Sequence, residues 1–258
     1  MGQPHGLGMD ALFRRLQLYG PLEPDERRGL EAAFAGVRTV EANHDLIAEG
    51  ARPAFVGVLL DGLLCRYKVL PGGERQIVAL PTPGDMFDLQ GLVLRRMDHS
   101  IGAVARSTVA FATLQAAHEL MDAHPRLAAL FWRDAVVECS ILREWVVNCG
   151  RRTAYARMAH LFCELSARLA AGGLGKGGAY PLPLTQADLA DALGLSVVHV
   201  NRTLQQLRAE RLVAFKGRRL SILDRAGLIA AGGFRADYLH VAEPMEGDPP
   251  KAGKEGDS

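Results

Sequence analysis

The stretch PLTQADLADALGLSVVHVNRTLQQLRAERLVAF, residues 183–215, decides the fold of the C-terminal part of the chain. Thr185 stands before an apolar helical pattern and Asp188 follows three residues later, which is the spacing of an N-terminal capping box. Gly194 ends this first pattern, because glycine readily adopts the left-handed conformation that closes many helices. Ser196 then caps a second pattern. Two short helices joined by so tight a turn predict a helix-turn-helix.

The segment LVAFKGRRLSIL, residues 212–223, follows directly and predicts a hairpin wing, because two short apolar runs flank Lys216-Gly217-Arg218. Residues 181–235 contain eight lysine and arginine residues against four acidic ones, so their net charge is +4, compared with +1 for the whole chain. Binding to the phosphates of DNA depends on such a local excess of positive charge. This part of the chain is therefore predicted to bind double-stranded DNA.

The second helix of a helix-turn-helix enters the major groove, where its early exposed residues meet base edges. The predicted base contacts are Val197, Val198, Asn201 and Arg202. The predicted phosphate contacts are Thr185, Gln186, Ser196 and His199. Gln205, Lys216 and Arg218 complete the predicted DNA-binding set. Arg202 is suited to a paired hydrogen bond with guanine, and the alternative is that it is a solvated surface arginine.

Residues 37–114 have a different pattern, in which short apolar runs such as FVGVLL (55–60) and VAFATL (109–114) alternate with turns. The turn signals include Asp61-Gly62 and Pro83-Gly84-Asp85. Short strands at regular spacing predict an antiparallel barrel or roll. A small roll of this kind encloses side chains or one small ligand.

Residues 116–171 contain few helix breakers, and Pro125 is acceptable in a first helical turn, so a helix is predicted over residues 121–150. Apolar residues lie on more than one face of this predicted helix, since Trp132 and Val136 point away from Leu127 and Phe131. A helix that is apolar on two sides needs two partners. One is the roll, and the other is either the same helix of a second subunit or the interior of the monomer.

The bulk properties of the 258 residues are ordinary for a globular protein, with 48% apolar and 23% charged residues. No apolar run reaches the roughly 18 residues of a membrane helix, and the N-terminus lacks the pattern of a signal peptide. The four cysteines do not have the spacing of a metal site or an iron–sulfur site. We therefore expect a cytoplasmic protein without a metal, a cofactor or a membrane partner. The polar tail, residues 243–258, is expected to be disordered.

Over about residues 10–232 the chain resembles the Crp/Fnr regulators, which include the cyclic-AMP receptor protein. The resemblance is strongest in LTQADLADALGLSVVHVNRTLQQLRAERLV (184–213) and extends to the sensor segment from Gly57 to Leu92. It implies an α+β fold with a cyclic-nucleotide-binding-like β-roll at 10–120, a dimerisation helix at 121–150 and a winged helix-turn-helix at 151–235. It also implies a homodimer on a palindromic DNA site, and contact with RNA polymerase when the regulator activates.

The sensor segment departs from the nucleotide-binding members of that family. Phe87-Asp88 stands in place of a glycine–glutamate pair, and Phe87 crowds the backbone approach that a phosphate needs. Asp98-His99-Ser100 stands where those members have an arginine, so a cyclic phosphate loses its best partner. Arg95 and Arg96 lie near enough in sequence to compensate in part. We predict that cyclic AMP is not the effector, and the absence of any cysteine before Cys65 argues against an Fnr-type iron–sulfur sensor.

A candidate effector pocket consists of seven residues close together in the sequence. They are Gly84, Asp85, Phe87, Asp88, Gln90, His99 and Ser100. The equally open alternative is that these residues only cap turns between strands. The sequence does not name an effector. It is compatible with a regulator that binds one in the roll and with a regulator that needs none.

The sequence thus predicts a DNA-binding transcription regulator. An enzyme with an appended helix-turn-helix lacks support, because the chain has no nucleophile elbow, no HExxH and no Walker motif. A ligand-binding sensor that acts through protein partners alone remains the main alternative.

Overall fold

The structure, a computed structural model, describes residues 8–175 and 177–240. The first helices of the described residues are α1 (Asp10–Gln17) and α2 (Pro24–Ala33). A capping box formed by Glu23 and Glu26 closes the N-terminus of α2. The tail that the sequence predicts to be disordered, residues 243–258, lies outside the described residues.

Two antiparallel four-stranded sheets form the predicted roll. Their strands are β1 (Gly36–Val40), β2 (Asp45–Ile47), β3 (Phe55–Asp61), β4 (Leu64–Val69), β5 (Arg75–Ala79), β6 (Met86–Phe87), β7 (Ser100–Ala103) and β8 (Ser107–Thr113). The strand order is β1-β8-β3-β6 in one sheet and β2-β7-β4-β5 in the other. Leu59, Leu64, Phe87 and Ile101 belong to a buried apolar cluster inside the roll. A 3₁₀ turn, Leu89–Leu92, connects β6 to the loop before β7.

A short helix, α3 (Leu114–Ala123), leads from the roll into the long helix α4 (Pro125–Arg151). The 27 residues of α4 extend over about 40 Å. The long helix begins at Pro125 rather than at residue 121, because the residue before a proline is disfavoured in the helical conformation. His124 accordingly adopts φ −131° and ψ 78°. In the part of the chain that the structure describes, no helix is long and apolar enough to cross a bilayer.

The C-terminal part contains the predicted winged helix-turn-helix. Its elements are α5 (Ala154–Ala171), β9 (Ala179–Pro181), α6 (Gln186–Leu193), α7 (Val197–Ala209), β10 (Val213–Lys216), β11 (Arg219–Ile222) and α8 (Arg225–Gly232). The three strands form one sheet in the order β10-β11-β9. Phe162, Leu189, Leu204 and Leu228 are fully buried in the core of this part.

A buried chain of charges joins the two parts of the molecule. Arg15 of α1 contacts Asp85 at 3.0 Å and Asp134 of α4 at 2.8 Å. Arg168 of α5 contacts the other oxygen of Asp85 at 2.5 Å. Burial alone raises the pKa of Asp85, but Arg15 and Arg168 outweigh that effect and hold its pKa below the ordinary value. The ionised carboxylate of Asp85 therefore links the roll to α1 and α5, and Arg15 extends the chain to the long helix through Asp134.

Candidate nucleic-acid interface

The helix-turn-helix is built by side-chain caps at both helices. Thr185 Oγ1 accepts a hydrogen bond from the backbone N–H of Asp188 at 3.1 Å, and Asp188 accepts one from the backbone N–H of Thr185 at 2.9 Å. Gly194 closes α6 with φ +61°. Ser196 Oγ then accepts from the backbone N–H of His199 at 3.2 Å and starts α7. These contacts confirm the capping pattern that the sequence predicts.

One face of α7 is free for contact with DNA. Val200, Thr203, Leu204 and Leu207 are buried against the rest of the domain. On the opposite face the exposed residues Val198, Asn201, Arg202 and Gln205 follow each other at intervals of three, one and three residues. This spacing places all four on a single stripe of the helix.

Two valines at the start of α7 are exposed. Val198 is 81% exposed and Val197 is 47% exposed, so neither contributes to the core. Asn201 donates a 3.2 Å hydrogen bond to Gln186 of α6, which orients both amides at the edge of the stripe. An apolar side chain in this position is suited to contact with a thymine methyl group.

The predicted phosphate contacts lie around the first turns of the two helices. Thr185 and Ser196 are exposed, and Gln186 and His199 are partly exposed. Thr185 and Ser196 use their oxygens as helix caps, so a phosphate contact at these positions would also involve the first-turn N–H groups.

The wing is a two-residue hairpin between β10 and β11. Gly217 and Arg218 have φ values of +59° and +60°, and positive values at both central residues are typical of the turns that connect tight hairpins. Lys216 and Arg218 are exposed at its tip. Arg208 in the last turn of α7 donates to the carbonyl of Phe215, which holds the wing beside that helix.

The acidic residues of this region are engaged in contacts elsewhere. Asp188 and Asp191 face Arg75 of the roll at 2.9 and 2.7 Å. Glu210 accepts from the hydroxyl of Tyr155. Asp224 caps α8 through the backbone N–H of the residue three positions on, at 2.9 Å. The exposed cations of α7 and the wing therefore set the charge of the surface that the sequence predicts to bind DNA.

Sequence reasoning missed Arg75, which lies in β5 more than 100 residues before the helix-turn-helix. Its Nη2 donates to Asp188 and its Nε donates to Asp191, and Gln76 beside it donates to the carbonyl of Ala192 at 3.5 Å. We call this set of contacts between β5 and α6 the roll–helix clasp. No local signal marks Arg75, because its partners are supplied only by the tertiary fold.

The seven residues of the candidate effector pocket are not brought to one place. Gly84 packs against the backbone of Ala11, where an added Cβ would lie 2.6 Å from the carbonyl oxygen. Asp85 belongs to the buried charge chain with Arg15 and Arg168. These two residues therefore face α1 and α5, whereas Phe87 points into the roll.

Phe87 and Asp88 occupy the interior of the roll. The Phe87 ring lies over Gly57, at which an added Cβ would come within 2.1 Å of the ring. Asp88 is fully buried with φ +67°, and neither of its carboxylate oxygens has a hydrogen-bond partner among the described residues. Burial raises the pKa of Asp88 to about 7, while Arg66 opposes the increase.

Of the remaining members of the set, Gln90 and His99 form a polar chain with Asp98. His99 contacts Asp98 through Nδ1 at 2.8 Å and Gln90 through Nε2 at 3.4 Å. Burial lowers the pKa of His99, against the opposing effect of its bond to Asp98. Ser100 caps a turn instead, accepting from the backbone N–H of Glu49 at 3.0 Å.

Arg66 and Glu138 were also missed by the sequence analysis. Arg66 of β4 is buried and forms an ion pair with Glu138 of α4, so the interior of the roll is linked to the long helix. Its Nε has no partner among the described residues. Charge on Arg66 influences both Asp88 and His99, so we call Arg66, Asp88, His99 and Glu138 the roll interior cluster.

A β-roll followed by a long helix and a winged helix-turn-helix with a cationic face defines a DNA-binding transcription regulator. Residues 156–231 match the family model of the Crp-like helix-turn-helix domain, and residues 37–124 match that of the cyclic nucleotide-binding domain. A probable transcriptional activator of Rhizobium leguminosarum bv. viciae is 30% identical over 171 residues, which cover 66% of this chain and 70% of the relative.

A second relative is the nitrogen fixation regulation protein FixK of Bradyrhizobium diazoefficiens, 30% identical over 201 residues, 78% of this chain and 81% of the relative. The solved structure of FixK2 from Bradyrhizobium japonicum matches with a TM-score of 0.69 and 25% identity, covering 76% of this chain and 96% of that one. The chain belongs to the Crp/Fnr family of transcription regulators. Members of this family are regulators rather than enzymes, and they typically act as homodimers.

Proposed function

We propose that two copies of the chain bind a two-fold symmetric DNA site, each placing α7 in the major groove. The observation that carries this proposal is the exposed stripe of α7, in which Val198, Asn201, Arg202 and Gln205 share one face behind a capped N-terminus. Arg202 is assigned to guanine, and Val198 to a thymine methyl group. Lys216 and Arg218 on the wing neutralise phosphates beside the groove.

The long helix supplies the dimer contact in this proposal. Trp132, Val136, Val146 and Val147 are exposed on α4, with Val146 68% exposed in the single chain. Exposed apolar residues repeated along one side of a helix are the pattern of a helix–helix seam. Pairing α4 with its copy places two α7 helices at a fixed separation, as half-sites one helical turn apart require.

The roll–helix clasp supplies the coupling between the roll and DNA binding. Arg75 holds α6 through Asp188, which also forms the cap with Thr185, so the position of the helix-turn-helix depends on β5. A signal that moves β5 would shift α7 with it. Coupling of this kind needs two arrangements of the roll and the helix-turn-helix that differ in free energy. The signal and the DNA must each bind the two arrangements with different affinity.

A small-molecule signal, where the protein uses one, would act at the roll interior cluster. Asp88 and Arg66 contain buried polar atoms without partners, and Glu138 connects them to the dimer helix. Two features of the same region disfavour the binding of cyclic AMP. Phe87 covers the backbone at Gly57, and His99 lies where nucleotide-binding members of the family have an arginine that binds the phosphate. We therefore propose an effector other than a cyclic nucleotide, or DNA binding that needs none.

We also propose that the protein is cytoplasmic, acts without an enzymatic step and contacts RNA polymerase when it activates. Support for activation comes from relatives, since FnrL of Cereibacter sphaeroides, 26% identical over 204 residues, is named a transcriptional activator. The exposed groups of α7 and the wing are suited to binding and positioning DNA.

Reversal of the charge in the wing distinguishes the proposed DNA-binding function from the alternative, a sensor that acts only through protein partners. In fluorescence anisotropy with duplex DNA, Lys216→Glu combined with Arg218→Glu should abolish binding. Arg28→Glu with Arg106→Glu changes the net charge equally at exposed positions away from α7, and should leave most of the affinity intact. Equal affinity in both double variants would remove the wing from the interface, whereas absence of duplex binding by the parent chain would favour the alternative.

A further inference from the structure

A cleft of about 440 Å³ opens on the surface of the roll, near the junction of β8 and α3. Its lining residues are Arg52, Pro53, Leu94, Arg95, Arg96 and Leu114. None of them belongs to the roll interior cluster or to the DNA interface. The cleft is thus a separate feature of the molecule, with a volume in the range of small-ligand sites.

The walls of the cleft are held in place by backbone contacts. Gly50 donates its N–H to Met97 at 2.7 Å, and Met97 donates to Ala51 at 2.9 Å, so the two loops that carry the arginines are bonded together. Pro53 packs closely on Gly91, where an added Cβ would lie 2.8 Å away. The shape therefore exists before any ligand arrives, which lowers the cost of binding.

The positive charge of the cleft is not compensated within the described chain. Arg52 and Arg95 form no hydrogen bond or ion pair with any described residue, and Arg96 donates only one 3.3 Å bond to a backbone carbonyl. By contrast, Arg106 of the same domain pairs with Glu41 at 3.2 Å. Three exposed guanidinium groups around one cleft favour the approach of an anion.

The surrounding elements add to this positive potential. Leu114 is the first residue of α3, and the first turn of that helix contains no acidic residue. Thr113 caps this helix by accepting from the backbone N–H of Ala116 at 3.1 Å, and the helix dipole also favours an anion at this end. Glu49 pairs with Lys68 and Asp98 contacts His99, each at 2.8 Å, and neither carboxylate forms an ion pair with an arginine of the cleft.

Apolar side chains form the rest of the lining. Leu94 is 48% exposed and its neighbour Val93 is 67% exposed, although both are large apolar residues. Leu94, Pro53 and Leu114 offer a surface that a bare phosphate ion would leave uncovered. The site therefore fits a ligand with one charged end and one apolar end.

We propose that this cleft binds a small amphipathic organic anion, in which a phosphate or carboxylate head is joined to an apolar chain. Arg52 and Arg95 hold the head through their planar forks of donors. Leu94 and Leu114 cover the chain. This binding site is independent of the DNA interface and of the effector assigned to the roll interior.

The proposal is tested by isothermal titration of the full chain with octyl phosphate, octanoate, inorganic phosphate and 1-octanol. We expect one saturable site for octyl phosphate or octanoate, with the stronger of the two identifying the head group. Inorganic phosphate should bind at least about ten-fold more weakly, and octanol should not saturate. Arg52→Gln with Arg95→Gln should weaken binding at least about ten-fold, because the charged hydrogen bonds to the head are lost.

The matched control is Arg28→Gln with Arg106→Gln, which removes the same charge outside the cleft and should bind within about two-fold of the parent. Thermal unfolding of each variant verifies that it is folded, and Arg95→Gln alone serves if the double variant is not. Absence of saturable binding by both amphipathic anions would overturn the proposal. Equal loss in the control and cleft variants, or binding of octanol as strong as that of octyl phosphate, would overturn it as well. The titration contains no DNA, so its result is independent of the proposed regulatory function.

Discussion

At the scale of single residues, Arg202 is exposed at the centre of the α7 stripe and carries the most specific assignment. Arg202→Ala is expected to weaken binding to the preferred DNA site by about 1–3 kcal/mol and to relax the preference at one base position. Anisotropy titrations with the preferred duplex and its single-base variants measure both effects. Equal weakening on every duplex would mean that Arg202 contacts only phosphate, and Arg28→Ala on α2 is the control for loss of one exposed charge.

Asp88 provides a second prediction at the residue scale. Its folded pKa is raised to about 7, above the unfolded value of roughly 4, so the folded state holds the proton more tightly. Stability is therefore lost as the pH rises from about 4 through 7. Asp88→Asn is neutral throughout, and asparagine tolerates the left-handed backbone at φ +67°.

The difference in unfolding free energy between the Asp88→Asn variant and the parent should therefore change with pH. It should shift in favour of the variant by on the order of 1–3 kcal/mol when the pH is raised from 5 to 8. Urea unfolding at the two pH values measures this difference. A stability difference between variant and parent that is the same at both values would show that Asp88 is not held protonated by its surroundings.

At the scale of elements, the contact between β5 and α6 determines how the two parts of the chain are joined. In a double-mutant cycle, Arg75→Gln and Asp191→Asn should show a coupling of about 0.5–1.5 kcal/mol in urea unfolding, because the pair is partly buried. Asp191 is chosen since Asp188 also caps α6. The exposed pair Arg28 and Asp25 is the reference cycle, and a coupling no larger than in that cycle would argue against the clasp.

The elements also show what sequence alone could predict. Thr185, Gly194 and Ser196 act on backbone groups within a few residues, so their spacing was sufficient to locate both helices and the turn between them. Arg75 could not be found in this way, because its partners are distant in sequence. The two arginines of the buried charge chain, Arg15 and Arg168, were missed for the same reason.

The candidate effector pocket shows a different limit of sequence reasoning. Asp85 and Phe87 are two residues apart and were grouped as one site, yet the turn before β6 directs Asp85 towards Arg15 and Arg168 while Phe87 enters the roll. Proximity in sequence does not decide which layer a side chain faces. Only the packing of α1 and α5 against the roll separates the two residues.

At the scale of the whole molecule, the exposed side of α4 must find a partner if two α7 helices are to reach one DNA site. Val136→Glu with Val146→Glu should therefore convert the protein to a monomer in sedimentation velocity and weaken its binding to a two-fold symmetric site. Val37→Glu, at another exposed valine, should remain a dimer. A parent chain that sediments as a monomer at micromolar concentration would contradict the proposed seam.

The most direct test of the proposed function is selection of the purified protein on random DNA duplexes at two salt concentrations. We expect an enriched motif with two-fold symmetry, whose half-sites are one helical turn apart and whose bases change when Arg202 is replaced. Higher salt should weaken binding while the motif persists, because phosphate contacts add affinity and base contacts add preference. Binding that depends on salt but enriches no motif would contradict the assignment of α7 as a sequence-specific recognition helix.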